Sequence, residues 1–387
     1  MEKIIYLDNN ATTAVAPEAF EAMRPFLTEL YGNPSSIHTF GGQVAAHVET
    51  AREQLAGLLG AQPSEVIFTS CGTESDSSAI YSALSLCPKR RKIVISCMEH
   101  PAILALGKEL ERRGYTVSHI PVDSKGRLDM ECAREMIDTE TAIVSVMWAN
   151  NEIGNIYPVK ELAELAHSQG ALFHTDAVQA VGKVKMNLAE LPIDMLSLSG
   201  HKLHAPKGVG ALYVKRGVRF RPFIVGGHQE RGRRAGTDNV ASIVALGKAA
   251  ELAQANLSVE NTRVKAMRDR LEAGLLKLPA TRLNGDVEHR LPNTSNISFE
   301  YIEGESILML LDMFGICASS GSACTTGSLE PSHVLRAMGV PYTAAHGAIR
   351  FSFSRYNTEE EVDFVLEKLP PVISRLREIS PYWNCLF

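Results

Sequence analysis

The sequence predicts an α/β protein with a large unit on a mostly parallel, doubly wound sheet and a smaller α+β unit. Three observations carry this reading. Apolar runs of strand length alternate with amphipathic stretches from about residue 44 to 215, and such alternation winds a parallel sheet through right-handed crossovers. The pattern changes after about residue 258, where a charged helix, an alternating strand and a capped helix take over. The chain has 387 residues, more than one ordinary core holds and enough for two. Residues 13–258 are assigned to the large unit, and 1–12 with 259–387 to the small one.

The elements follow in order. Val44, Val48, Ala51, Leu55 and Leu58 repeat at helical spacing. Val66 to Thr69, Ile93 to Ile95, Ala142 to Val146, Ala171 to Phe173 and Met195 to Leu198 read as buried parallel strands, because unbroken apolar runs suit strands covered on both faces. Leu162, Leu165 and Ala166 line a helix that stops at Gly170. A charged helix runs from Asn261 to Leu278. It leads to Thr294 to Phe299 and then to a helix around Ile307 to Leu311. Ile349, Phe351 and Phe353 alternate with Arg350, Ser352 and Ser354, the pattern of a half-buried strand. Thr358-Glu359-Glu360-Glu361 is a capping box that opens the last long helix. There are no internal repeats.

Composition excludes several classes. With 45% hydrophobic and 21% charged residues the chain reads as soluble and globular, and a net charge of −5 gives no reason to expect nucleic-acid binding. No apolar run reaches the ~18 residues of a membrane span. Met1-Glu2-Lys3-Ile4 lacks the apolar core of a signal peptide. Seven cysteines, an odd number with no Cys-x-x-Cys pair, point to free thiols in a reducing, cytoplasmic compartment.

The chemistry gathers after the strands. Ser197-Leu198-Ser199-Gly200-His201-Lys202 places a lysine just past an apolar strand, at the mouth of a sheet, where a Schiff-base lysine belongs. Asp176 lies about 26 residues upstream, at the end of another buried strand. A pyridoxal-phosphate (PLP) enzyme needs this pair: the lysine forms the imine, and the carboxylate keeps the pyridine nitrogen protonated. Cys71-Gly72-Thr73-Glu74-Ser75, Glu99-His100-Pro101 and Asn150-Asn151-Glu152 each follow a strand as well. Open α/β sheets bind ligands beyond the carboxyl ends of their strands, so these clusters are expected to converge on one site.

Each element of that site also has a plainer reading. Gly72-Thr73 suits a phosphate at a helix start, or is simply an N-cap. His100 covers a cofactor ring and moves protons, or is a satisfied structural histidine. Asn151 is a site residue or a turn residue. Arg350 suits bidentate capture of a carboxylate, or is a surface ion pair. The basic run Arg231 to Thr237 is a solvated loop, or supplies a hydroxyl and positive charge to a phosphate. His174, Asp176, His201 and His204 offer metal-ligand atoms but lack H-x-x-x-H or H-E-x-x-H spacing. Cys324 sits at the centre of a Gly- and Ser-rich stretch from Ala318 to Gly327, where a thiol is expected to be exposed and mobile, or incidental. Cys71 is expected to be packed rather than reactive, and Cys317 to belong to the core.

These motifs carry a resemblance. From Tyr6-Leu7-Asp8-Asn9-Asn10-Ala11-Thr12-Thr13 to Arg355-Tyr356 the chain resembles the PLP-dependent cysteine desulfurases, and within them the nitrogen-fixation (NifS) type. The motifs are Asn33-Pro34-Ser35-Ser36, Glu99-His100-Pro101, Ala149 to Glu152, His174 to Gln179, Ser199 to Lys202 and Ser320 to Cys324. Gly227 to Thr237 and Leu329 to His333 favour the nitrogen-fixation branch.

The resemblance implies PLP fold type I, aspartate-aminotransferase-like. It implies that Lys202 carries PLP, that Asp176 meets the pyridine nitrogen, and that His100 stacks on the ring. Gln179 and Asn151 would lie near the phenolic oxygen. Gly72, Thr73, Ser199 and His201 would bind the phosphate, and Thr237 the phosphate of a neighbouring subunit, which makes a homodimer. Arg350 would hold the carboxylate of L-cysteine, with Asn151 and Asn9 nearby. Cys324 would be the nucleophile that takes the sulfur as a persulfide and passes it to an iron–sulfur scaffold, in this branch for nitrogenase cluster assembly. Through that persulfide Cys324 would also be a transient cluster ligand. The implied rivals are a selenocysteine lyase or cysteine-sulfinate lyase of the same fold, an ordinary aminotransferase, and an idle sulfur carrier that uses Cys324 only to dock.

Overall fold

The computed structural model describes residues 4–320 and 331–383. Cys324 lies outside the described residues. The first described strand is β1 (Ile5–Tyr6). Seven strands then build the large sheet: β2 (Val66–Thr69), β3 (Lys92–Ser96), β4 (Thr116–Ile120), β5 (Thr141–Ser145), β6 (Leu172–Asp176), β7 (Met195–Ser199) and β8 (Gly210–Val214). Their spatial order is β2-β8-β7-β6-β5-β3-β4. The pairs from β4 through β3, β5 and β6 to β7 are all parallel. β8 runs antiparallel to both its neighbours, β7 and β2.

Two of these strands are absent from the sequence reading. β8 is a short turn-back after the Lys202 segment, and β4 is a sheet edge with an exposed and half-exposed face. β2 keeps the direction of the parallel strands, but its one neighbour is antiparallel β8. The interior strands are apolar on both faces because helices cover both sides. Thr39–Leu59 and Val240–Val259 pack together against the sheet, burying Val48, Leu55, Leu59, Leu246 and Ala250.

The remaining strands are β9 (Thr281–Asn284), β10 (Thr294–Phe299), β11 (Ile316–Cys317), β12 (Ser319–Ser320) and β13 (Ala348–Ser352). Four of them form an antiparallel sheet in the order β12-β13-β10-β9, and β11 pairs with β1 in parallel. Helices Lys265–Leu275 and Glu359–Ile379 cover the sheet, closing a second core with Ile297, Phe299, Ile349, Phe351, Leu271 and Leu369. The Glu361 carboxylate accepts from the Thr358 N–H at 3.3 Å, one half of the expected capping box.

The charged helix expected from Asn261 begins earlier. Val240–Val259 runs into a π-helical turn, Glu260–Val264, and on into Lys265–Leu275. Val334, Leu335, Met338, Val340 and Ala344 lie between β12 and β13 of the small sheet in sequence but pack in the core of the large sheet. β13 is buried on both faces rather than half-buried. Its aromatic face meets the second core, and its polar face, with Arg350 and Ser352, turns inward toward the large sheet. Among the described residues no helix is long and apolar enough to cross a membrane.

Candidate active site

The carboxyl ends of β2, β3, β5, β6 and β7 open into one cavity of about 480 Å³. Gly72, Thr73, His100, Asn151, Asp176, Gln179, Ser199, His201, Lys202 and Arg350 all line it, so the expected convergence takes place. Asn9 and Thr237 do not. The Asn9 amide is turned away and donates to the carbonyls of Tyr6 and Ser352, at 3.1 and 2.9 Å. Its neighbour Asn10 faces the cavity instead. Thr237 is exposed.

Each side chain is set by local structure. Helix Gly72–Leu86 starts with Cys71 as an extended N-cap (φ −172°, ψ 174°), and the first-turn N–H groups of a helix have no partner within it. A Cβ on Gly72 would come to 2.9 Å from Val178 Cγ2, so the close approach of helix and loop needs glycine. Cys71 lines the cavity and is half-buried, more accessible than the packed residue expected. Cys317 is likewise half-buried on β11 rather than in the core.

His100 caps helix Pro101–Arg112: its Nδ1 accepts the Ala102 N–H at 3.2 Å, which leaves the proton of the neutral ring on Nε2. Burial lowers its pKa, opposed by Asp176 and assisted by Lys202. Asn150, fully buried, accepts from the N–H groups of Glu152 and Ile153 and donates to the Met98 carbonyl. That tie fixes the turn that presents Asn151.

Asp176 ends β6 and accepts the Val178 N–H at 2.9 Å. Burial raises its pKa, while His100, the Val178 N–H and Lys202 lower it. Lys202 follows β7 in a short 3₁₀ turn, Gly200–Lys202, and its Nζ donates to the carbonyls of Asn10 (2.5 Å) and Ala11 (2.6 Å). The His201 ring is held near Thr12 Oγ1 at 3.1 Å, and burial, with help from Lys202 and Lys207, drops its pKa to about 4. Gln179 donates from Nε2 to the Asn10 carbonyl at 3.0 Å, while its buried Oε1 has no partner.

Arg350 reaches in from β13. Nη2 binds Asp8 Oδ1 at 2.7 Å and Nη1 the Asn151 carbonyl at 3.1 Å, while Nε is buried without a partner. Beyond the site the basic run is anchored twice. Arg234 pairs with Glu74, and Glu230 takes both ends of the Arg52 guanidinium, at 2.7 and 2.8 Å. Glu230 and Arg231 hold left-handed φ of 47° and 58°, a strain this buried pair offsets. Past the undescribed residues, the Ser332 hydroxyl donates to Glu152, and His333 Nε2 lies 3.0 Å from the Glu99 carbonyl. Sequence reasoning missed Asp8, Asn10 and Asp76. No signal marks Asp8 or Asn10 beyond their place in the quoted N-terminal motif. Among the described residues no group of three or more His, Cys, Asp or Glu is placed to hold a metal ion.

A lysine and a buried carboxylate at the carboxyl edge of a mostly parallel sheet, with a helix N-terminus and an arginine facing them, define an aminotransferase-like α/β enzyme. The chain belongs to the aminotransferase class-V family, whose model matches residues 5–365. It is 60% identical over 382 residues to the cysteine desulfurase NifS of Azotobacter vinelandii, covering 98% of this chain and 95% of that one. It is 62% identical over 383 residues to a cysteine desulfurase of Gluconacetobacter diazotrophicus, covering 98% and 96%. Among solved structures, a NifS-like protein superimposes with a TM-score of 0.91 at 42% identity, covering 97% of this chain and all of the other. The structure of SspA in complex with cysteine superimposes with a TM-score of 0.82 at 32% identity, covering 92% of this chain.

Proposed function

We propose that the chain is a cysteine desulfurase that converts L-cysteine to L-alanine and carries the sulfur as a persulfide on Cys324. The observation that carries this reading is the meeting of Lys202, Asp176, His100 and Arg350 on one cavity, in a chain with relatives named cysteine desulfurase at about 60% identity.

The residues present fit PLP. Gly72 and Thr73 at a helix start, with Ser199 and His201, suit its phosphate, and Asp176 its ring nitrogen. Gln179 Oε1, buried without a partner, is a polar atom left for a ligand, and Asn151 lies on the same wall. Exposed Thr237 suits the phosphate in a second copy of the chain, and a homodimer is part of the proposal. When bound, PLP supplies an electron sink that acidifies the substrate's α-carbon.

The chain's own residues do the rest. Arg350 binds the carboxylate of L-cysteine, which competes with or joins Asp8 on the guanidinium. The Lys202 amine takes the α-proton. The Cys324 thiolate attacks the substrate sulfur: the S–S bond forms, the C–S bond breaks, and its electron pair stays on carbon. That carbon takes a proton, the Lys202 ammonium returns the α-proton, and the product leaves as alanine. His100, neutral near pH 7 with its proton on Nε2, is placed to hand protons to the leaving groups. The sulfur then passes to an iron–sulfur scaffold, and Cys324 is the residue that would touch a cluster in transit. The names of the nitrogen-fixation relatives support nitrogenase cluster assembly as the destination.

Purification with bound PLP tests the reading. A yellow chromophore, lost in Lys202→Ala, is the expected result. A colourless protein that takes up no PLP would overturn it.

A further inference from the structure

Asp76 is the buried acid that this mechanism does not use. It lies on helix Gly72–Leu86, one turn beyond Gly72, lines the active cavity and is only 2% exposed. Its Oδ1 has no hydrogen-bond partner. Asp176 lines the same cavity and is 6% exposed, so two buried carboxyls border one cavity, and the charge of Asp176 acts on Asp76.

The sheet register explains how they meet. His174 and Asp176 are two residues apart on β6 and so share a face. Ser197 on β7 stands opposite Asp176, and Ser145 on β5 opposite His174. The side chains join: Ser145 Oγ lies 2.8 Å from His174 Nδ1, and His174 Nε2 lies 2.9 Å from Ser197 Oγ. Helix Gly72–Leu86 covers this polar row and brings Asp76 Oδ1 to 3.7 Å from His174 Nε2.

Among the described residues Asp76 makes no ion pair with a lysine or arginine. His174 is the one basic group that the described residues place within ion-pair distance of it, and burial depresses that ring's pKa to about 3, so it is neutral. Arg350 is taken by Asp8, and Lys202 donates to two backbone carbonyls. Burial above all, and then the charges of Asp176, Glu99 and Cys71, favour the protonated form of Asp76, against a hydrogen bond from Ser197 that favours the charged form. An unpaired buried carboxylate is costly, and two carboxyls in one site do not both ionise.

We propose that Asp76 and Asp176 form a carboxylate pair that carries one proton and one negative charge, with the proton on Asp76. Asp76 is thereby a positioning residue. It keeps the charge facing the cofactor ring at one, matched to one ring-nitrogen proton, and fills the space behind Asp176 with a neutral hydrogen-bonding group. This assignment rests on the PLP reading above.

The test uses the holoenzyme and three variants, Asp76→Asn, Asp76→Ala and Asp176→Asn. Infrared difference spectra read protonated carboxyls directly. Glu99, whose pKa burial lifts to about 8, contributes an acid band of its own, so the difference between proteins is what counts. Asp76→Asn is expected to lose one acid band that Asp176→Asn keeps. The pH midpoint of the bound chromophore is expected to stay within about 0.3 unit in Asp76→Asn and to move by about a unit or more in Asp176→Asn. No lost band, or a midpoint shift of a unit in Asp76→Asn, means that Asp76 is charged and overturns the proposal. On dialysis, Asp76→Ala is expected to release cofactor about tenfold faster than Asp76→Asn, and equal rates overturn the positioning role. A wild-type protein without chromophore refutes the PLP reading instead, and the infrared band then decides Asp76 on its own.

Discussion

Arg350 and Asp8, 342 residues apart in sequence, form a partly buried ion pair at 2.7 Å on the wall of the cavity. The Arg350 side chain is 6% exposed and that of Asp8 is 20% exposed. The pair joins β13 to the segment after β1 and keeps the guanidinium oriented before substrate arrives. Removing one partner of such a pair costs more than the pair contributes, because the other charge stays buried.

From this pair, Arg350→Ala is expected to raise KM for L-cysteine by about a hundredfold, the loss of a charge-assisted bidentate contact. Asp8→Asn is expected to change KM by less than about tenfold, since the Asn151 carbonyl still holds Nη1. Steady-state kinetics of both variants check this. A larger KM effect in Asp8→Asn than in Arg350→Ala would mean that Asp8 itself meets the substrate.

Gly72 predicts a cofactor-binding defect from sterics alone. A Cβ there meets Val178 Cγ2 at 2.9 Å, so Gly72→Ala must push the helix start off the Asp176–Val178 loop. Weaker PLP retention, by about an order of magnitude, is expected on equilibrium dialysis, with little change in urea midpoint. Retention equal to wild type would show that the helix start does not bind the cofactor.

His174 predicts a pH dependence of stability. Its folded pKa is depressed by burial to about 3 from an ordinary 6.5. At pH values between the two, the unfolded chain binds the proton and the folded chain does not. Stability from this group is therefore fully present above about pH 6.5 and falls as pH drops toward 3, by on the order of 5 kcal/mol in all. Urea unfolding between pH 7 and 4 is expected to show the loss, and His174→Gln to flatten it. An unchanged slope in that variant would assign the acid sensitivity elsewhere.

Much of the site was legible because each polar cluster directly follows an apolar run, and parallel strands all end at the same edge. Lys202, Asp176, His100, Thr73 and Asn151 could be placed on one wall by that rule alone. Other features depend on the fold closing. The Arg350–Asp8 pair needs both sheets in place. Whether Asn9 or Asn10 faces the cavity is decided by a single bridge, Asp8 against Ser352. Asp76 was hidden for another reason. Glu74-Ser75-Asp76-Ser77-Ser78 reads as a solvated polar turn of a helix, yet Glu74, Ser75, Asp76 and Ser78 are all buried, because that turn is enclosed on several sides, Asp76 at the cavity, Ser75 against Thr69 and Glu74 under Arg234. β4 was missed because an edge strand with an exposed face lacks the unbroken apolar run of the interior strands. β8 has such a run, Gly210–Val214, and is fully buried, but it follows a glycine turn and runs antiparallel, outside the strand–helix alternation that marked the others.

The central claim is that Cys324 takes sulfur from free L-cysteine. Its most direct measurement is anaerobic mixing of purified protein with L-cysteine and no reductant, followed by mass-spectrometric mapping of persulfide and a count of alanine. One persulfide on Cys324 per alanine formed is the expected result, with both lost in Cys324→Ala. Alanine formed without a persulfide on Cys324, or at the wild-type rate in Cys324→Ala, would contradict the claim and point to a lyase that releases sulfur directly.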